Sequence, residues 1–348
     1  MGSSPVVTSR SLGRLLRRRR EALGLSLRGA ARGSSGAGEA IPASTLVRIE
    51  QGRLDPGTRR LSALLRLYDL DPGYVADVVE LESLAVPTPE GDLRAIVDRG
   101  VAFWREGNVP LALASVFAVR EHVARDPSQR LLQQKGTLLF AVYARSLGKT
   151  RLARKLVEDL LCGPPDPTLL VDTLVLASSL WNRSGSRVVA WALIAKARSL
   201  LEPGDLMRRA QVTHQEAKLL VEDGRIEDAS AALDTAMRDY AASGDGANEM
   251  SARILRIAVL ERSAGLDAAI AWARETIAAA DGRGLGRQKA SARIELGRLL
   301  SAAGRGAEAA DELRRAAAAA SILKDPGLTA EARDLLARAD ADEPASVR

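Results

Sequence analysis

Beyond about residue 93 of this 348-residue chain, one turn recurs at a nearly fixed interval. A small residue closes a helical segment, and an alanine a few positions later opens the next. The pairs are Gly107 with Ala112, Gly148 with Ala153, Gly185 with Ala190, Gly224 with Ala229, Ser263 with Ala269 and Ile270, and Gly304 with Ala309. The turn residues lie 41, 37, 39, 39 and 41 positions apart. A period near 40 with two amphipathic helices per unit predicts a helical solenoid, because each hairpin has an apolar face that only a neighbouring hairpin can cover. Hydrophobic residues make up 46% of the chain but aromatics only 3%, which suits helices packed closely through alanine and leucine. Strands call for more aromatic and β-branched residues. The expectation is an all-α chain with about six hairpins over residues 93–340.

The opening segment reads differently. From Met1 to Arg66 there are 13 arginines, no lysine and four acids, a balance of +9; the whole chain carries +6, so the remainder carries −3. Such an asymmetry is the footprint of a polyanion-binding module. Leu12, Leu15, Leu16 and Leu23 fall at helical spacing, with Arg17 to Arg20 on the polar side. Gly24 then stops the helix and Ser26 caps a second one, about Leu27 to Arg32. A Gly/Ser-rich loop is expected over Gly33–Glu39. A third helix follows from Pro42 to about Gln51, a fourth from Thr58 to about Tyr68, and a fifth opened by Asp71-Pro72 and running to about Leu84. Pro87 and Pro89 favour an extended connector. The predicted organisation is a five-helix domain over 11–85, a linker over 86–92 and the repeats over 93–340.

The residues LGRLLRRRREALGLSLRGAAR, and then IPASTLVRIEQGRLDPGTRRLSALLRLYDLDP, resemble the XRE family of helix-turn-helix domains, the group of phage Cro and repressor proteins. That resemblance implies that helices 2 and 3 form the motif and that helix 3 enters the major groove of double-stranded DNA. It places Ala43, Ser44, Thr45, Val47 and Arg48 toward base edges, Arg48 being the side chain able to grip guanine with two hydrogen bonds. Arg28, Gln51, Arg53, Arg59 and Arg60 fall where phosphates are held. Arg20 and Glu50 match the family's internal salt bridge. Two departures stand out: the turn between helices 2 and 3 is about five residues longer than usual, and Leu27 stands where a polar contact is common.

The stretch ARIELGRLLSAAGRGAEAADELRRAAAAA resembles a tetratricopeptide repeat, with Leu296, Gly297, Leu300, Gly304, Ala309 and Ala316 at consensus places. DRGVAFWREGNVPLALASVFAVREHVARDP is a second copy, with Gly100, Phe103, Gly107 and Ala112. The family implies a right-handed superhelix whose first helices line a groove for peptides or extended segments; by that register Trp104, Arg145, Asn182, Lys218 and Arg298 face it. The two domains together resemble the peptide-responsive regulators of bacterial cell–cell signalling, the RRNPP group. The resemblance implies a dimeric transcription regulator with a peptide or protein partner in the groove. The alternative is an interaction scaffold whose helix-turn-helix module reads little DNA sequence.

Catalytic chemistry finds no support. His122 and His214 lie in different repeats without metal-ligand spacing, so neither a metal nor a cofactor is expected. Gly148-Lys149-Thr150 reads as a repeat turn rather than a phosphate loop, and Gly282–Gly286 has no surrounding βαβ unit. Cys162 is the one cysteine, so no internal disulfide forms; it is read as a buried thiol in a reducing, cytoplasmic setting. No long apolar run suggests a membrane span.

Overall fold

The computed structural model describes residues 5–86, 92–123 and 129–341, and every regular element among them is an α-helix. The chain divides into two compact units, Met1–Ala85 and Val86–Arg348. Pro87 and Pro89 of the expected linker lie outside the described residues.

The first unit holds α1 (Pro5–Ala22), α2 (Leu27–Gly36), α3 (Ala43–Glu50), α4 (Gly57–Leu67) and α5 (Pro72–Leu84). Local signals set several ends. Ser26 accepts a hydrogen bond from the Gly29 amide at 3.0 Å, and Asp71 accepts one from the Tyr74 amide at 2.8 Å, satisfying donors that a helix start leaves open. Leu16, Ala30, Ile41, Leu46, Ile49, Leu64 and Tyr68 form the core. Leu23 does not join it. The helix ends at Ala22, and Leu23 sits in the following turn, 41% exposed.

The expected glycine loop is the main local correction. Gly33 to Gly36 form the last turn of α2. Ser34 is fully buried; its hydroxyl donates to Ala31 O at 2.7 Å and accepts from the Ile41 amide at 2.8 Å. Gly33 lies against Leu67, where a Cβ would come within 2.8 Å of Cδ1. Glycine's poor helix propensity amounts to about 1 kcal/mol per residue. A buried serine bonded on both sides and a leucine packed on the helix outweigh it.

The second unit holds α6 (Leu93–Arg105), α7 (Val109–Val123), α8 (Arg130–Ser146), α9 (Thr150–Cys162), α10 (Pro167–Arg183), α11 (Arg187–Ser199), α12 (Leu206–Glu222), α13 (Ile226–Ser243), α14 (Gly246–Ser263), α15 (Leu266–Gly282), α16 (Gly286–Ala302), α17 (Gly306–Ile322) and α18 (Pro326–Ala341). These are six hairpins and a closing helix. Each helix packs on the next, and first helices of successive hairpins also touch, as α8 with α10, α10 with α12 and α14 with α16. Ala112, Ala153, Ala190, Ala229, Ala269 and Ala309, the phased alanines, are fully buried. Gly107, Gly148, Gly185, Gly224 and Gly304 all take positive φ. In the fifth turn that place belongs to Gly265 (φ +88), not Ser263, which is the last residue of α14. Only glycine enters this conformation without strain, so the left-handed site moved two residues to the nearest glycine.

The end of the repeats returns to the beginning. The turn after α6 packs on Leu323: a Cβ on Gly107 would lie 2.8 Å from its Cδ2. The Arg287 guanidinium sits 5.0 Å from the Trp104 ring, donates to Ser146 O at 3.2 Å and pairs with Asp325 at 3.0 Å. Arg105 reaches Asp245 at 3.4 Å. The C-terminal ends of α6 and α8 thus meet the N-terminal starts of α14, α16 and α18. Carbonyl ends and amide ends carry opposite partial charge, and an arginine bridges them.

Cys162 is also a correction: its thiol is free and exposed. It is the last residue of α9, next to Gly163, beyond the buried run Leu152, Leu156 and Leu160.

Candidate nucleic-acid interface and repeat interior

Two contacts fix α3 against α1. The Arg20 guanidinium donates to both oxygens of Glu50, at 2.7 and 2.9 Å, and its third nitrogen donates to Leu25 O at 2.7 Å. Both side chains are nearly buried. This is the internal salt bridge implied by the family resemblance. The second contact is backbone on backbone: a Cβ on Gly13 would lie 2.4 Å from Ile49 O and 2.8 Å from Glu50 O. No side chain fits there, so glycine sets the α1–α3 distance. Sequence reasoning passed over Gly13, because a single glycine inside a helical pattern carries no sign of what packs on it.

With Leu46, Ile49 and Glu50 turned inward, the opposite side of α3 is set by helical spacing. Ser44, Val47, Arg48 and Gln51 follow at steps of three, four and seven and share one face. Ser44, Arg48 and Gln51 are exposed and Val47 is half-buried; Ala43 and Thr45 are half-buried beside them. Gly52 stops the helix at φ +67, and the Arg53 amide closes back on Arg48 O at 2.8 Å. A Cβ on Gly52 would meet the Arg10 backbone at 2.6 Å.

The arginines fall into two groups. Several of those in α1 are tied to groups within the unit: Arg14 pairs with Glu82 at 3.4 Å, Arg17 with Glu21 at 2.8 Å, and Arg19 donates to Tyr68 O at 2.9 Å. Arg28, Arg48, Arg53 and Arg59 are exposed, Arg60 is half-buried, and none has an acidic partner among the described residues. Arg32 and Arg66 belong with them and were missed from sequence. Arg32 lies four residues after Arg28 and shares its side of α2. That spacing was readable within the helix expected over Leu27 to Arg32.

The five expected groove residues separate in the repeat unit. Trp104 stacks on Tyr143 with ring centres 4.2 Å apart, beneath Arg287. Asn182 is buried and donates to Glu222 at 2.9 Å. Arg298 is committed to Glu261 at 2.6 Å and Glu295 at 2.9 Å, and the hydrogen bond to Glu261 is the main reason its charge is held so firmly. Arg145 donates to Ser179 Oγ at 3.0 Å and faces no carboxylate; burial, then the charges of Arg183 and Arg287, push its pKa down to about 10. Lys218 is half-buried, with no hydrogen bond or ion pair among the described residues. Burial, then Arg145 and Arg183, push it down to about 7. Three of the five therefore serve packing or pairing, which sequence periodicity cannot separate from an open face.

Among the described residues no cluster of histidine, cysteine, aspartate or glutamate could hold a metal ion, and no helix is long and apolar enough to cross a membrane. Fold and surface together define a helix-turn-helix module joined to a unit of helical hairpins.

Comparison with known proteins agrees. A family profile described as a helix-turn-helix domain matches residues 11–78, which lie within the first unit. No curated protein matches the sequence. Among solved structures, a signal-transduction ATPase from Pyrococcus horikoshii with a tetratricopeptide repeat sensor is similar over 84% of this chain and 45% of its own, at 11% identity and a TM-score of 0.50. The chain shares with it a helical-repeat fold. PlcR of Bacillus thuringiensis, solved with the peptide PapR7 and DNA, is 14% identical over 78% of this chain and 98% of its own, with a TM-score of 0.39. The apo competence regulator ComR of Streptococcus vestibularis is 13% identical over 95% and 99%, also with a TM-score of 0.39.

Proposed function

We propose that this protein is a DNA-binding transcription regulator whose repeat unit dimerises and senses a ligand or partner. The observation that carries the reading is the division of the arginines. Arg14, Arg17, Arg19 and Arg20 of α1 are tied to groups within the unit, while Arg28, Arg32, Arg48, Arg53 and Arg59, from α2 to the start of α4, stand exposed with no acidic partner among the described residues. In this reading α3 lies in the major groove. Arg48 reads a guanine, Ser44 and Val47 supply polar and apolar contacts to neighbouring bases, and Gln51, Arg53, Arg59 and Arg60 hold phosphates. A dimer would set two such helices about 34 Å apart, one turn of DNA. The scaffold alternative rests on the long glycine loop between helices 2 and 3 and on the thin base-reading set of α3; the ordered Ser34 turn supports a firmly held α3 against the first ground, and the selectivity of Arg48 tests the second.

The test is a mobility-shift series on genomic fragments at rising salt. Affinity is expected to fall by about a thousandfold or more between 50 and 200 mM salt if six or more phosphates are held. Arg48→Ala is expected to weaken the preferred fragment by about 1–3 kcal/mol and to relax selectivity, whereas Arg53→Ala weakens all fragments alike and lowers the salt slope by about one. Binding that ignores both salt and Arg48 would overturn the reading.

A further inference from the structure

We propose that Arg145, Arg183 and Lys218 form a receiving site for a compact anion with two or more negative charges, on the face shared by α8, α10 and α12 of the repeat unit. The assignment rests on reading this unit as the sensing part of the protein, and it names the chemistry of what is sensed.

The three cations come from three helices that pack side by side. Arg145 is tied to α10 through Ser179 Oγ at 3.0 Å, and its charge and that of Arg183 both act on Lys218. Several other arginines of the unit are answered by carboxylates: Arg209 by Asp239 at 2.7 Å, Arg287 by Asp325, Arg298 by Glu261 and Glu295. Here neither nearby carboxylate forms an ion pair with the three. Glu222 accepts from Asn182 and pairs with Arg187 at 3.6 Å. Glu331 feels Arg183 and Arg287 but forms no ion pair with either. Asn182 Oδ1 and His214 Nε2 on the same helices are buried without a partner.

Arg145 is desolvated without a counter-charge, and the positive charge around it keeps the Lys218 amine from holding its proton near neutral pH, an unfavourable arrangement for both. Such strain persists where it is relieved by something bound. One carboxylate would answer one or two of these charges and leave a third; a phosphate or polycarboxylate group answers all three, with Ser179 as a neutral donor beside it. Arg183 is exposed, so the cluster can be reached from solvent.

The experiment is thermal unfolding and calorimetry of the full chain at low ionic strength, with pyrophosphate and citrate as probes and chloride at matched ionic strength as control. The expected result is a rise in melting temperature of about 5 °C or more at a hundredfold excess over Kd. Binding at pH 7.5 should also draw in protons. An anion raises the pKa of Lys218 from about 7, so the ammonium forms as the anion binds. A response to pyrophosphate alone assigns a phosphate ligand, and a response to citrate alone assigns a carboxylate one. Lys218→Met removes an amine that folding forces to give up its proton, so the free variant should melt higher than the parent yet bind the anion at least tenfold more weakly. The proposal fails if neither anion shifts the transition beyond the chloride control. It also fails if Lys218→Met responds as the parent does, since the arginines of the first unit are then the binding site. If neither anion binds but DNA affinity responds to another effector, sensing stands and the anion assignment falls.

Discussion

Replacing Glu50 with alanine is expected to unfold the first unit at temperatures where the repeats remain intact. Arg20 is nearly buried, and Glu50 accepts from two of its nitrogens, at 2.7 and 2.9 Å. Removing the carboxylate leaves a nearly buried guanidinium with only Leu25 O and, more distantly at 3.5 Å, exposed Glu21 to answer it. Breaking a buried pair from one side costs about 3–5 kcal/mol. Each kcal/mol moves the melting point of a domain this small by about 4–8 °C, so the first calorimetric transition should fall by more than ~10 °C. The double variant Arg20→Met with Glu50→Leu should recover most of that loss, because two apolar side chains of similar size leave no charge stranded. It should also bind DNA, since neither residue lies on the outward face of α3. A single variant as stable as the parent would show that the pair does not hold the two helices together.

Arg287→Ala is expected to release the end of the repeat unit from its beginning. One guanidinium makes three contacts there: to fully buried Asp325, to Ser146 O and over the Trp104 ring. Its removal leaves Asp325 with only its capping bond from the Leu328 amide, a loss of about 3–5 kcal/mol. Hydrogen exchange should speed up at the C-terminal turns of α6 and α8 and at the start of α18, with α10 to α13 unchanged, and small-angle scattering should show an enlarged repeat unit. Asp325→Asn should act more mildly, since an amide oxygen still caps α18 and leaves no buried negative charge. Equal exchange rates in Arg287→Ala and the parent would show that Gly107 on Leu323 suffices to hold the contact.

How much of this was legible beforehand can be judged from particular residues. The phased alanines announced the hairpins because a buried small side chain is needed at the same place in every repeat; all six are fully buried. The Arg20–Glu50 bridge was available through family resemblance, since two charges 30 residues apart carry no local signal of their own. The Gly33–Gly36 turn misled, because composition reports intrinsic preference and says nothing of the Ile41 amide that waits for Ser34. Cys162 misled for a related reason: a lone cysteine suggests the interior, but its place at the end of α9 leaves it exposed.

By itself, then, the sequence determined what depends on neighbours along the chain: helical segments from periodicity, their ends from caps and glycines, the repeat from its phase, and the net charge of each part. The tertiary structure decided what depends on residues far apart. It ties Arg14, Arg17, Arg19 and Arg20 of α1 to groups within the first unit while leaving Arg28, Arg32, Arg48 and Arg59 without ion pairs among the described residues, brings Arg287 to Ser146 across 141 positions, and gathers Arg145, Arg183 and Lys218 without an ion pair to any carboxylate. Pairing and desolvation are properties of a charge's surroundings in space, and a chain read residue by residue shows the charge without the surroundings.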